Sequence, residues 1–457
     1  MVVPIYNIRF VFLTFCFAFL LVGCEQTENV TPNNEFLSSD EISSEIALEW
    51  TQLQRTLAKE SPAFTPPITA RALGYCTLVL YESTVLGSKK YKSLAGQLQE
   101  FSDLPALDKG KTYHWPTLIN AAQAVACRQF FVVSALSNAK ISALEFNLNE
   151  KYKMDGLTET IVQDSKEAGI TLANAIFAYA KKDGGHEGFR MNFPASFQVP
   201  KGVGLWEPTE NKQAVPLLPS WGENRTFHPD NQTFPFPILY APSYNQSSDF
   251  FRMYAEVYEK NKHLTQEEKE IAVWWADDPS DTFTPAGHSQ SLASLVIQKE
   301  GTSLSLSDAA FVFAKVSLAV SDAFVACWKV KFRFMNERPY TYVRKTIDPN
   351  WIPFWPSPPF PGFTSGHATQ SAATAAVLAS IFGENYTFLD TTWEGRPRDS
   401  KRNVDFRPRR FTSFWQTAME AADSRFYGGI HTRLDNELGL QEGKRIAQRF
   451  DQLNWKK

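Results

Sequence analysis

The chain has 457 residues, of which 43% are hydrophobic and 14% aromatic, enough apolar material for one or two domains with a large buried core. A formal net charge of -3 recommends neither nucleic acid nor an anionic membrane surface as a partner. Any anion site must therefore come from local clustering of cations.

Arg9 precedes an apolar run from Phe10 to Val22 that is too short to span a bilayer and ends in Leu21-Val22-Gly23-Cys24. Residues 1–23 read as a signal peptide, and the small residue before Cys24 resembles the lipobox of bacterial lipoproteins. That resemblance implies cleavage before Cys24 and lipidation of its thiol. The protein is then exported and lipid-anchored to the bacterial cell envelope, periplasmic or surface-exposed, with the anchor as its only membrane contact. Residues 24–40, rich in Asn, Ser, Thr and Glu, read as a flexible tether. Cys76, Cys127 and Cys327 sit in apolar helical patterns as small core residues, and their odd number without short spacing argues against a disulfide framework and a zinc site.

Apolar spacing of three and four recurs along the rest of the chain, while alternating strand patterns are scarce, so the fold class is all-α. Expected helices cover 40–59, 68–86, 117–137, 141–152 and 158–182, giving an N-terminal bundle over residues 41–185. Residues 186–248 shift to Pro, Gly, Asn and aromatics and read as a long ordered connection. Helices resume at 249–260, then after the capping box Thr265-Gln266-Glu267-Glu268 as far as 276, and again at 289–300, 307–336, 365–382, 412–427 and 437–450. These form a second bundle over residues 249–457, so two packed helical bundles are expected, with no apolar run of transmembrane length after the signal.

Chemistry concentrates in that C-terminal bundle. Lys331 and Arg338 are seven residues apart, nearly two helical turns, and are expected on one face of a single helix end that Pro339 stops. Such a pair alone reads as a solvated tip with snorkelling side chains. Thr364-Ser365-Gly366-His367 opens the next helix, whose N-terminus offers free N–H groups and partial positive charge. Gly366 lets an anion approach the backbone, Ser365 adds a hydroxyl, and His367 adds a group that titrates near neutrality. Ser424-Arg425, then His431 and Asp435, span a break at Gly428-Gly429, and the four-residue spacing lets Asp435 fix the His431 tautomer.

Taken together, Lys331 with Arg338-Pro339, then Ser365-Gly366-His367, then Arg425, His431 and Asp435 resemble in order and spacing the vanadium-dependent haloperoxidases. The relatives of that family are the class A bacterial acid phosphatases and type 2 phosphatidic acid phosphatases. Thr364 stands where the pattern usually has Pro. The resemblance implies vanadate as cofactor, with phosphate able to occupy the same site. Its oxygens would be bound by Lys331, Arg338, Ser365, the Gly366 N–H and Arg425, and its vanadium by His431. It further implies that His367 takes a proton from hydrogen peroxide, that Lys331 polarises the peroxide, and that halide is oxidised to hypohalous acid, iodide or bromide ahead of chloride. A small organic acceptor and a homo-oligomer are compatible with this reading.

Trp328 and Phe360 resemble the aromatic residues on the halide side of such sites. A His at the Phe360 position is typical of the algal bromoperoxidases, so Phe360 leans toward the chloroperoxidase-like and bacterial iodide-specific branches. The segment Trp274 to His288 resembles one that supplies an acid to the motif arginine. Asp278 is the expected partner of Arg425, Asp277 the reserve, and His288 reads as an entrance residue or a helix cap. The basic run 396–410 reads as a solvated loop that at best steers anions. An acid phosphatase with His431 as nucleophile and His367 as general acid is the alternative enzyme. A non-catalytic oxyanion-binding lipoprotein is the alternative of another class, which has no use for two histidines.

Overall fold

The structure, a computed structural model, describes residues 36–102, 104–153 and 156–457. The expected signal peptide, the expected lipidation site Cys24 and the tether as far as residue 35 lie outside the described residues. The first helices are α1 (Glu45–Glu60), α2 (Pro66–Val85), α3 (Trp115–Phe130), α4 (Ala135–Lys153) and α5 (Glu159–Ala180). After a long connection come α6 (Asp249–Lys262), α7 (Gln266–Trp274), α8 (Thr284–Glu300), α9 (Leu306–Phe334), α10 (Pro339–Thr346) and α11 (Gly366–Phe382). An antiparallel pair, β1 (Phe388–Asp390) and β2 (Arg409–Phe411), precedes α12 (Phe414–Tyr427) and α13 (Arg433–Phe450).

Helix α9 is the axis of the molecule. A Ser305/Asp308 capping box opens it, and its apolar surface runs all the way round, as a helix packed on α2, α8, α11 and α13 requires. By length and composition it could cross a membrane, yet its most apolar stretch is wholly buried inside the protein. One continuous apolar core runs from Trp50 and Leu78 in the first helices through Phe313 to Leu378 and Ile446. Residues 37–457 form one compact unit, so the segments 41–185 and 249–457 share that core. Cys76, Cys127 and Cys327 are buried free thiols within it.

Three local expectations are corrected. The helix expected over 117–137 stops at Phe130, where Phe131 turns extended ahead of the β-branched pair Val132 and Val133, and α4 starts afresh at Ala135. The helix carrying Lys331 ends at Phe334, because Met335 adopts a left-handed conformation (φ 48°). Pro339 therefore opens α10 instead of stopping α9, and Arg338 is its N-cap in extended backbone. The two cations thus come from different helices. The strand pair lies where the sequence shows a basic loop, and each strand is too short to carry an alternation pattern.

The connection over 186–248 is fastened to α9 by one buried carboxylate. Asp322 accepts from the Phe227 and His228 N–H groups (2.7 and 3.0 Å) and from Asn231 Nδ2 (2.9 Å). Further along, the connection pairs with the chain around the α9–α10 junction: Trp206 N–H donates to Met335 O at 2.6 Å and Glu337 N–H to Gly204 O at 2.8 Å. Leu217 N–H donates to Pro359 O, and Trp328 Nε1 donates to Leu217 O at 3.2 Å. A segment without α-helices thereby fixes one wall of the pocket described below.

Helices α11 and α13 cross closely because α13 presents glycines at the contact. A Cβ on Gly443 would stand 1.9 Å from Thr369 O, and one on Gly439 would stand 2.9 Å from Ser365 O. This approach lets Ser365 N–H donate to Asp435 O at 2.9 Å, joining the start of α11 to the start of α13. Gly443→Ala is expected to destabilise the protein by about 1–3 kcal/mol through overpacking against main chain, read as a lower midpoint in chemical denaturation. A midpoint equal to wild type would contradict the close crossing.

Candidate functional site

Lys331, fully buried in the last turn of α9, donates from Nζ to three carbonyls: Pro361 O (2.9 Å), Gly362 O (2.9 Å) and Thr364 O (2.6 Å). All three ammonium protons are thereby used to hold the segment that leads into α11. Arg338, equally buried, donates from Nε to Phe360 O (2.8 Å) and from Nη1 to Ile430 O (2.8 Å), while its Nη2 has no partner.

Ser365 caps α11, its hydroxyl accepting from Ala368 N–H. At Gly366 an added Cβ would meet nothing nearer than Trp328 at 3.7 Å, so the room left by the missing side chain belongs to the cavity. His367 presents part of its ring to that cavity, while its Nε2 is buried without a partner. The ring also donates to the Trp275 backbone, and with Nε2 unpartnered that donor is Nδ1–H.

Arg425 lies in the last turn of α12 and donates from Nη1 to the same Trp275 carbonyl at 3.2 Å, leaving Nε unpartnered. The chain then reverses through Gly429, whose positive φ of 73° suits a residue without Cβ. His431 follows, and its Nδ1–H donates to Asp435 Oδ2 at 3.0 Å. Nε2 therefore keeps its lone pair, which faces Arg338 Nη1 at 3.1 Å. Asp435 also accepts from Thr432 N–H in the capping box that opens α13, so one carboxylate starts the helix and orients the imidazole.

The electrostatics follow from burial. Desolvation lowers Lys331 to about 7, Arg338 to about 9 and Arg425 to about 10; the two arginines push Lys331 further down and Arg425 does the same to Arg338, while Asp278 and Asp277 pull Arg425 back up. His367 and His431 are driven well below the usual histidine range by burial and by the neighbouring cations, so both are neutral bases. Cations and N–H groups outnumber carboxylates here, and unpartnered nitrogens on Arg338, Arg425 and His367 converge on the site. This is the donor set for a multiply charged oxyanion.

The cavity in front of these groups has a volume of about 270 Å3. Trp328 and Phe360 both line it, with ring centroids 4.9 Å apart. Phe360 also lies beneath the Arg338 guanidinium, 4.9 Å from its centroid. Asp278 lines the cavity and acts on Arg425 through space, but among the described residues Arg425 forms no ion pair. Burial pushes Asp278 up to about 6 against the pull of Arg425.

His288 is neither an entrance residue nor a cap: it is buried, and its nitrogens face Asp277 Oδ2 (3.0 Å) and Asp390 Oδ2 (2.9 Å). Asp277 is therefore committed to His288. The basic run is not a free cationic surface either, because Arg396, Arg398, Arg402 and Arg409 pair with Asp281, Asp405, Asp399 and Glu420.

A profile of the "VCPO second helical-bundle domain" matches residues 311–454, the span that holds Lys331 through Asp435. The vanadium chloroperoxidase of Curvularia inaequalis is 23% identical, the alignment covering 85% of this chain and 78% of that protein. A bacterial vanadium-dependent iodoperoxidase of known structure is 29% identical and superposes with a TM-score of 0.79, over 91% of this chain and 97% of that one. A holo-type bacterial vanadium-dependent chloroperoxidase shares the fold, at 15% identity and a TM-score of 0.62 over 92% and 98% of the two chains. With the cradle assembled as described, these matches support a vanadium-dependent haloperoxidase.

The family implies vanadate, and the residues fit it: orphaned nitrogens on two buried arginines, an open cradle at Gly366, and a neutral His431 whose Nε2 carries a lone pair. Asp435→Asn keeps the start of α13 but removes the charge behind His431. It is expected to weaken vanadate binding about tenfold, the scale of such supporting contacts, in calorimetric titration. Equal affinity would show that Asp435 serves the helix alone.

Proposed function

We propose that this enzyme oxidises halide with hydrogen peroxide, converting H2O2, X- and H+ to HOX and water. Arg338, Arg425, Ser365 and the Gly366 N–H would hold the vanadate oxygens, with Lys331 close behind and His431 Nε2 as the ligand to vanadium. The bound group supplies a Lewis-acidic centre that activates peroxide without a change of oxidation state. His367 accepts a peroxide proton at Nε2 and returns it to the product. The observation that carries this reading is the unpartnered Nε2 of a neutral His367 at the edge of a cavity backed by buried cations.

Because its three donors already hold carbonyls, Lys331 acts through its charge and by fixing residues 361–364 more than by direct contact with peroxide. Trp328 and Phe360 form an apolar, polarisable wall beside the cations, which favours a weakly hydrated halide. Iodide or bromide is accordingly preferred to chloride, and the cavity has room for a small organic acceptor. Phosphate, with the same shape and charge, competes for the cradle. The protein works outside the cytoplasm, tethered through Cys24, a reading that rests on the leader sequence alone.

The deciding assay loads the protein with orthovanadate and follows peroxide-dependent iodide and bromide oxidation beside phosphate-ester hydrolysis. Halide oxidation is expected. Its absence with brisk ester hydrolysis would replace this reading with the acid phosphatase, His431 then being the nucleophile. His431→Ala is expected to abolish vanadate retention, and His367→Ala to retain vanadate while losing about 10²–10⁴-fold in turnover. Full turnover in His367→Ala would remove that residue from the proton transfer.

A further inference from the structure

The buried histidine behind the site has no part in the reaction just described. His288, 1% exposed, sits in the first half of α8 with Asp277 on one nitrogen and Asp390, from β1, on the other. A neutral imidazole has one N–H only, so carboxylates on both nitrogens require both to be protonated. The two acids lift His288 to about 10 although burial pulls it down. This is a fixed cation at neutral pH, and it does not line the cavity.

What the cation touches points to its use. Its ring stacks on Trp275 with centroids 4.4 Å apart and planes at 16°, while Trp393 meets it edge-on at 5.4 Å. Trp275 Nε1 donates to Glu420 Oε1 (2.9 Å), and the neighbouring Trp274 Nε1 donates to Asp390 Oδ2 (2.9 Å), the same oxygen that His288 holds. Two residues on, Asp277 adopts a left-handed backbone (φ 52°) with its carboxylate gripped by His288. The peptide between these residues is anchored on both sides. Its carbonyl, on Trp275, receives Arg425, and the same backbone is the hydrogen-bond partner of His367, to which Nδ1–H is the donor because Nε2 has no partner.

We propose that His288, clamped as an imidazolium between Asp277 and Asp390, is a positioning residue that fixes the Trp275 carbonyl and thereby keeps His367 in its Nδ1–H tautomer with Nε2 free. The inference rests on His367 as the acid/base of the proposed function. The charged groups that face His367 are Arg425, His288 and Lys331, with Asp278 and Asp277 answering Arg425. His288 is thus one of three cations that hold His367 neutral, and it is the one that contacts neither the cavity nor the oxyanion cradle.

The test is a 15N and 1H NMR titration of the His367 ring in the full chain without vanadate, its signals assigned by their loss in His367→Gln. The wild type shows the Nδ1–H tautomer. In His288→Gln the cation is gone, so the His367 pKa rises by about half a unit or more and the tautomers mix. In Asp390→Asn the imidazolium persists against Asp277 while an anion is lost, so the pKa falls. With vanadate loaded, His288→Gln lowers kcat about tenfold with a much smaller change in vanadate affinity, and the acid limb of its pH profile moves up. A folded His288→Gln whose His367 keeps its titration and tautomer overturns the proposal. Should that variant fail to fold, a His367 pKa that does not fall in Asp390→Asn overturns it instead. If no halide is oxidised by any form, the functional reading fails while the titration still decides the role of His288.

Discussion

Lys331, Arg338 and Arg425 are buried together, and most of what holds them is neutral main chain. Taking an ion out of water costs several kcal/mol even after the surroundings relax, so each must be met by something. Here the something is carbonyl oxygen: Pro361, Gly362 and Thr364 for Lys331, Phe360 and Ile430 for Arg338, Trp275 for Arg425. Carbonyl dipoles fix the cations in place without cancelling their charge. Carboxylates in those positions would have quenched the field that draws an oxyanion.

The same constraint explains why so little of the site is made from one element. Each carbonyl belongs to a loop, and each loop needs its own support. The connection over 186–248 braces Pro359 and Trp328 through Leu217, and is itself pinned to α9 by Asp322. The first helices reach the cavity too, through Thr65 and Pro66 at the start of α2. The C-terminal helices carry the ionic residues, but the cavity in front of them is also walled by Thr65 and Pro66 from the first helices and by Phe193 and Leu217 from the connection.

The helices were legible because apolar periodicity reports burial directly, and the cradle because its residues stand in three compact blocks. What stayed hidden depends on contacts that no local pattern records. Arg338 was assigned to the helix of Lys331, since seven-residue spacing cannot reveal a left-handed Met335 between them. His288 looked like an entrance residue, because its partners lie 11 and 102 residues away. Asp390 drew no notice in a strand of three residues, too short for alternation to show. The paired state of Arg396 through Arg409 was equally invisible, for a run of cations in sequence says nothing about the acids that fold against it.

The glycines of α13 bear on how sharply the site is defined. Ser365 and Asp435 belong to the two halves of the cradle, and their separation is set where Gly439 and Gly443 let main chain rest on main chain. A contact of that kind has no rotamers to sample. The spacing between the anion-binding helix start and the histidine support is therefore as well determined as a covalent framework would make it. Looseness at this centre, where it exists, enters from the side-chain tips and not from the scaffold beneath them.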